Sequence, residues 1–480
     1  EAGPPPPAPD PELAELQAGL FDYALRGAGA ASARATRRLA ARLGAADPDA
    51  LLELLETRGA FPRHANALPH RKGLRREHGA TARAEAARAA AAPPTGEDLT
   101  ALPTAAIDEP GAHEVDDAIS FWTEGGQAYL AVHIARLADR VLPGSALAEE
   151  MIARATSLYF PGEWWPLLPE SLGEALSLVV DAERPALSLV CPVGSDGLPG
   201  PGRWVRSRVR VDAQSGYEAP EGLARELVRG LLPVAEALRA ARLRAGARLP
   251  ELAWLRVGLD EEGEPTTRLA RNDAPAHLVV SELMVLYNAR AAEALADAGW
   301  PALYRVQEEP LAPLAVDAGD PLFPLEVRRT LPPTQVRTMP GRQRSMGLEA
   351  YVQATSPLRR AADALVQAQL MALLAGGPPA FDAESLEDLR ARLLRKERRA
   401  RALEEERRRH LLAVWLSGQS EPLEAVVSRP GSPALVYLPA LDREFPCVDA
   451  PATRGMRLRV RVRECEPRAG RVSFAPAAEE

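Results

Sequence analysis

The spacing of apolar residues changes character three times along this 480-residue chain, and that order excludes any single-layer fold. From Pro11 to about Thr57 the spacing is helical: Leu13, Leu16, Leu20 and Phe21, then Leu39 and Leu43, then Leu51, Leu54 and Leu55. Asp47-Pro48 supplies an N-cap followed by proline at a first helical position. Strand signals follow in AYLAVHIARL (128–137), PALSLVCPV (185–193) and WVRSRVRVD (204–212), the last alternating apolar residues with Arg. Helical patterns return over 277–299, 359–376 and 385–416, with a stop at Ser417-Gly418. Beyond about 420 come short strands at close spacing, as in a small β-barrel of the OB-fold kind.

The expected fold is therefore α+β and multidomain. Residues 1–11, rich in proline, read as a disordered tail. Residues 12–95 read as a helical domain of helix-turn-helix or winged-helix type, or as a plain helical lid; APPTGED closes it. Residues 96–417 form a large α/β domain and 420–477 the OB-fold barrel.

Apolar residues make up 46% and charged residues 26%, which suits a globular chain with a sizeable core. No apolar run reaches the roughly 18 residues a membrane span needs, and the first residues lack a secretory pattern, so no membrane partner is expected. Cys191, Cys447 and Cys465 have no paired spacing, which points to a reducing, cytoplasmic setting. The net charge of −8 does not advertise nucleic-acid binding, but the basic residues cluster. They gather in RHANALPHRKGLRR (63–76) and in MRLRVRVREC (456–465), where Arg457, Arg459, Arg461 and Arg463 share one face of a strand. Such a row suits a phosphate backbone, or is an ordinary solvated face. Lysine occurs only at 72 and 396, a bias that codon usage also explains. The helical N-terminus leaves duplex DNA as a minor alternative partner.

The segment AAIDEPGAHEVDDAISFW (105–122) carries the chemistry. Asp108, Glu114, Asp116 and Asp117 fall within ten residues, in a turn-rich stretch just before a strand. Carboxylates that close repel one another unless cations neutralise them or water solvates them all. An oxygen-only set with no Cys or His pairing suits a hard ion, Mg2+ with Mn2+ as substitute, able to assist phosphodiester hydrolysis. The alternative from these residues alone is a solvated acidic loop; the spacing does not fit a calcium loop.

Ordered motifs then resemble the ribonuclease II and ribonuclease R (RNB) family over about 300 residues. The family pattern I-D-x-x-x-x-x-D-x-D-D-A reads here as Ile107, Asp108, Glu114, Asp116, Asp117, Ala118. AVHIARLADRVLPGSALAEEMIARATSLYFPGEWWPLLPESL (131–172), SELMVLYNARAAEALADAGWPALYRVQEEP (281–310) and GLEAYVQATSPLRRAADALVQAQL (347–370) are similar to further family blocks in order. The resemblance implies an RNB-type catalytic domain and processive 3′→5′ hydrolysis of single-stranded RNA to 5′-monophosphates; the chain is expected to act as a monomer. It makes Asp108, Glu114, Asp116 and Asp117 catalytic and metal-binding. Tyr304 and Glu349 would contact the last nucleotides, and Arg359 the backbone or the site.

The chain also departs from the pattern. Glu114 stands where the family has Asp, Arg136 where Asp is usual, and Ala361 where an aromatic is usual. An ungapped match puts Glu405 at the family's catalytic arginine, with Arg401 and Arg408 about one turn away on either side. The helical N-terminus replaces two cold-shock barrels, and Tyr437 and Phe445 read as barrel core, with base stacking as the alternative. These departures support a second reading, a catalytically inactive RNA-binding protein that retains the fold.

Overall fold

A computed structural model describes residues 11–31, 33–180, 182–250, 252–309, 312–451 and 453–477. The tail expected over 1–11 lies outside them, apart from Pro11. Helices α1 (Pro11–Arg26), α2 (Ala33–Arg42), α3 (Pro48–Thr57) and the single turn α4 (Leu68–Arg71) make the first module. Asp47 caps α3 as its position predicts: its carboxylate accepts the Ala50 N–H at 2.8 Å. Tyr23, Ala24, Ala40, Leu51 and Leu52 close a small core between these helices. Among the described residues no strand precedes Glu97, so no wing accompanies them. Helix α5 (Ala80–Ala90), expected in this domain, packs instead against α6 (Ala146–Arg154) and α7 (Glu170–Leu176), and its Ala82 and Ala86 enter the large core.

That core is organised by a seven-stranded sheet. Its first strands are β1 (Glu97–Asp98), β2 (Thr104–Ile107), β3 (Asp117–Glu124) and β4 (Gln127–Ala135). After a separate hairpin, β5 (Leu158–Phe160) and β6 (Glu163–Trp165), the sheet resumes with β7 (Glu183–Pro192), β8 (Arg203–Arg210) and β9 (Ala213–Ser215). The strand order is β1-β8-β7-β4-β3-β2-β9. The alternation in 204–212 emerges as buried Val205, Ser207 and Val209 between exposed Arg206 and Arg210. A buried polar row crosses five strands: Thr104 to Ser120 at 2.7 Å, Ser120 to His133 at 3.0 Å, His133 to Ser188 at 2.7 Å, Ser188 to Ser207 at 2.6 Å. Each member has a partner, which is what makes such polarity tolerable inside a sheet.

Helices α8 (Gly222–Arg244) and α9 (Pro275–Asp297) pack on this sheet, flanking the hairpin β10 (Trp254–Leu259) and β11 (Pro265–Ala270). The hairpin β12 (Tyr304–Val306) and β13 (Gln335–Arg337) encloses α10 (Phe323–Thr330). Then follow α11 (Ala361–Leu374) and the 35-residue α12 (Ala383–Ser417). Asp382 caps α12 by accepting the Ser385 N–H at 2.8 Å, and Gly418 ends it. The last strands, β14 (Leu423–Arg429), β15 (Ala434–Leu438), β16 (Arg443–Cys447), β17 (Arg457–Glu466) and β18 (Arg471–Pro476), close a barrel in the order β14-β15-β16-β18-β17. Its β16–β18 pairing is parallel, the connectivity of an OB-fold. Tyr437 is buried, with its hydroxyl on Asp442 at 2.7 Å, and Phe445 packs edge-on to Phe474, so both are core. Arg457, Arg459, Arg461 and Arg463 line the outside of β17. Among the described residues no helix is long and apolar enough to cross a membrane.

The departure at Arg136 has a structural use. Its side chain is fully buried, donates to the Thr95 carbonyl at 2.7 Å and pairs with Asp139 at 2.9 Å, tying the domain's leading loop to the sheet. Ala361 is equally buried, under the turn where Ala155 accepts its N–H at 2.9 Å.

Candidate active site

Strands β2 and β3 are antiparallel neighbours, so the end of one and the start of the other meet at the same edge of the sheet. The connection between them, residues 108–116, carries the carboxylates to that edge. Asp108 extends β2, its N–H donating to the Ser215 carbonyl at 3.0 Å, and Asp117 opens β3 opposite Ile134. Gly111, at φ +79°, turns the connection without the strain a side chain would bring.

The four carboxylates then part company. Asp116 is 2% exposed; it accepts the Leu358 N–H at 2.8 Å and Arg359 Nε at 3.2 Å. Burial pushes its carboxyl well up, against the opposing pull of Arg359. Burial, and then the nearby Asp108, push Asp117 up to about 7. Among the described residues no hydrogen bond reaches the Asp117 carboxylate. Asp108 is raised by burial too, and among the described residues its carboxylate receives only the Glu109 N–H, at 2.8 Å. Glu114, 7% exposed, faces elsewhere: it accepts Ser157 Oγ at 2.8 Å, Trp164 Nε1 at 3.2 Å and the Tyr159 hydroxyl.

Arg359 supplies the cation. Burial alone would lower its pKa, but Asp116, Tyr159, Asp117 and Asp108 around it hold it above the usual value. Its Nη2 also donates to Ser356 at 3.2 Å. The turn 355–360 that carries it is fixed from both sides. Asp363 accepts the Ser356 N–H at 3.0 Å, and Asn288 accepts the Ala354 N–H at 2.8 Å while donating to Thr355 and Tyr351.

Other expected residues lie apart. Tyr304 is 0% exposed and donates to the Trp300 carbonyl at 3.2 Å; inward-facing on β12, it is a core residue and is not presented to a ligand. Glu349 is exposed and spent on a two-pronged pair with Arg342, at 2.6 Å on each oxygen. Arg408 pairs with Glu405 at 3.4 Å, and Glu405 is claimed by Arg443 of the barrel at 2.7 Å. Arg401, paired with Glu397 at 3.6 Å, opens onto a cleft of about 700 Å3 that Arg305, Arg337, Arg390 and Arg398 also line. The cations beside Asp116 and Asp117 are Arg359, which bonds Asp116 directly, and Arg360.

Aromatic residues that the sequence motifs do not single out frame the site. His113 stacks on Trp164 with ring centres 4.4 Å apart, and Tyr217 stacks on His277 at 4.1 Å. Burial, with Asp117 and Asp108 nearby, raises the Tyr217 hydroxyl above its usual pKa. Tyr159 is the tyrosine of a T-S-x-Y element in the family block 131–172 and Trp164 lies in the same block, but nothing in the sequence shows that their rings meet a carboxylate 45 and 50 residues away.

Among the described residues no three Asp, Glu, His or Cys side chains converge as a ready metal cage. A hard ion does not need one. Magnesium is commonly held by one or two carboxylates with waters and substrate phosphates completing the shell. Asp108 and Asp117 fit that demand: adjacent, acidic, raised in pKa by burial, and short of hydrogen-bond donors.

Residues 96–313 match the family model described as RNB domain. An uncharacterized ribonuclease of Synechocystis sp. is 28% identical over 404 residues, covering 78% of this chain and 59% of that protein. Ribonuclease R of Thermotoga maritima is 33% identical over 220 residues, 42% of this chain and 31% of that protein. The chain thus spans less than two thirds of the length of these curated relatives. Among solved structures, Mycoplasma genitalium RNase R in complex with ribose-methylated single-stranded RNA superposes with a TM-score of 0.76 at 16% identity, covering 86% of this chain and 77% of that one. Yeast Ssd1, a pseudonuclease, does so at 0.60 and 18%, covering 74% and 51%. The fold therefore serves an RNase and a pseudonuclease alike, and activity has to be argued from the site. Residues 96–313 of the chain are an RNB domain, of the kind carried by proteins named ribonuclease R and exoribonuclease 2.

Proposed function

We propose that this chain is a 3′→5′ exoribonuclease that hydrolyses single-stranded RNA processively to nucleoside 5′-monophosphates, with Mg2+ or Mn2+ held at Asp108 and Asp117. The observation that carries the reading is that pair of half-buried carboxylates, short of hydrogen-bond donors and held above their usual pKa, beside an arginine already committed to a third, Asp116. A bound divalent ion would supply Lewis-acid activation of water and of the scissile phosphodiester. Asp108 and Asp117 bring the anionic oxygens that hold such an ion. Asp116 fixes the Arg359 guanidinium, whose Nη1 has no partner among the described residues and can meet a phosphate oxygen as charge develops. The stacked rings at His113–Trp164 and Tyr217–His277 offer flat faces to unpaired bases. Three free cysteines suit action in a reducing compartment such as the cytoplasm.

The test is chromatography of products from a 5′-labelled unstructured RNA, with magnesium and with chelator. Monophosphates released only with metal, and a ladder shortening from the 3′ end, support the proposal. Asp117→Asn should lose at least about 100-fold in turnover while still binding RNA. The second reading, a non-catalytic RNA-binding protein, is favoured by the placement of Glu114 away from Asp117. It expects steeply salt-dependent RNA binding with no products under either condition.

A further inference from the structure

We infer that Glu114 is a positioning residue that holds an aromatic wall beside the reactive carboxylates, and is not one of the oxygens that bind the cation. What the wall receives rests on the exoribonuclease reading; the hydrogen-bonding role does not.

Both Glu114 oxygens are already used. Oε1 accepts Ser157 Oγ at 2.8 Å; Oε2 accepts Trp164 Nε1 at 3.2 Å and the Tyr159 hydroxyl. Ser157 Oγ in turn accepts the Leu167 N–H at 2.9 Å, so its own proton is directed at Glu114. Tyr159 and Trp164 are cross-strand partners on the β5–β6 hairpin, and Glu114 clamps the pair from outside. His113, the residue before it, stacks on Trp164 at an interplanar angle of 8°. One carboxylate thereby fixes the orientation of two rings and brackets the second between itself and a third.

The length of the side chain is what allows this. Aspartate would draw the carboxylate back by about an ångström, and contacts now at 2.8 and 3.2 Å would stretch past the range of a hydrogen bond. Glutamine has the same reach. Its carbonyl can accept from Trp164 and Tyr159, and its amide can donate to the second lone pair of Ser157 Oγ once that hydroxyl turns its proton away, but it has lost the charge a divalent ion seeks. The two substitutions therefore separate the roles. A ligand tolerates aspartate and fails with glutamine, whereas a positioning residue tolerates glutamine and fails with aspartate.

The experiment compares Glu114→Gln and Glu114→Asp with the parent in the full chain. It reads kcat and KM on a short unstructured RNA, Mn2+ affinity without RNA, and the Trp164 emission isolated by subtracting matching Trp164→Phe proteins. Glu114→Gln should leave all of these within about twofold. Glu114→Asp should raise KM about tenfold, the loss expected for hydrogen bonds to a charged group, and shift Trp164 emission to the red without tightening Mn2+. Loss of Mn2+ affinity or a 100-fold fall in kcat in Glu114→Gln, with Trp164 emission unchanged, would overturn the inference. So would an aspartate variant indistinguishable from the parent. If the parent releases no monophosphate with any metal, the exoribonuclease reading fails. RNA affinity and Trp164 emission across the same variants then still decide the role of Glu114.

Discussion

Burial and the neighbouring Asp108 push the Asp117 carboxyl from 3.8 to about 7, so the folded chain keeps a proton there that the unfolded chain releases at much lower pH. Between those values the native state binds more protons than the unfolded one, and this group's contribution to stability falls as pH rises. A cation at the site reverses that penalty. Asp117→Asn should therefore raise the metal-free melting temperature, more at pH 8 than at pH 5, and should abolish any extra stabilisation by magnesium seen in the parent; an equal increase at both pH values would contradict it. His133 has the opposite sign. Its burial in the polar row pulls it from 6.5 down to about 3, so it stays neutral while folded. In that window the unfolded state binds more protons, and stability is lost as pH falls below 6.5, with a slope approaching about 1.4 kcal/mol per pH unit. His133→Gln should flatten that acid limb in denaturant titrations; an unchanged slope would mean another group sets it. The carboxylates were legible because four acids in ten residues form a local pattern. Their division of labour was not, because Asp116 meets Arg359 from 243 residues away and Glu114 meets Ser157 from 43.

Elements were legible where one periodicity ran unbroken and was capped. The 35-residue α12 begins at its Asp382 cap and ends at Gly418 much as its pattern predicts. Helix α8 carries Pro233 inside it, which breaks the pattern that would have marked it. Tyr304 illustrates the limit of motif matching: its strand reads buried, half-buried, buried, and the motif tyrosine falls on an inward position. The short β5–β6 hairpin has no lasting periodicity of its own. It is held because Leu158, Phe160 and Trp165 pack on Ala400 and Leu403 of α12, and because Glu404 accepts the Tyr159 N–H at 2.8 Å. Leu403→Ala should cost about 2–4 kcal/mol by opening a cavity under the hairpin. It should also raise KM for RNA while leaving Mn2+ affinity intact. A variant that loses stability without any change in KM would show the hairpin to be mere packing.

At the scale of the molecule, the first module rests on the same hairpin. Leu68 and Leu74 pack into the Leu158–Phe160–Trp165 cluster, His70 meets Trp165 edge-on at 5.3 Å, and Asn66 donates to Glu163 at 3.0 Å. Buried Arg407 of α12 reaches the His64 carbonyl, and Arg468 of the barrel reaches Glu53 at 2.8 Å. One face of the β5–β6 hairpin thus touches the N-terminal helices while Tyr159 and Trp164 touch Glu114, a connection of two contacts between the first module and the site. Because α5 onward packs in the large core, the module can be loosened without dismantling the RNB domain. Replacing Leu68 and Leu74 together by Asp buries two charges in an apolar seam and should undock the helices. The doubly substituted chain should keep its far-ultraviolet spectrum and its Mn2+ affinity, shift Trp165 and Trp164 emission to the red, and raise KM for single-stranded RNA several-fold at unchanged kcat. Undocking verified by protease cleavage between residues 72 and 80, with KM unaltered, would instead make the module a passenger. The orientation of the aromatic wall would then depend on α12 and Glu114 alone.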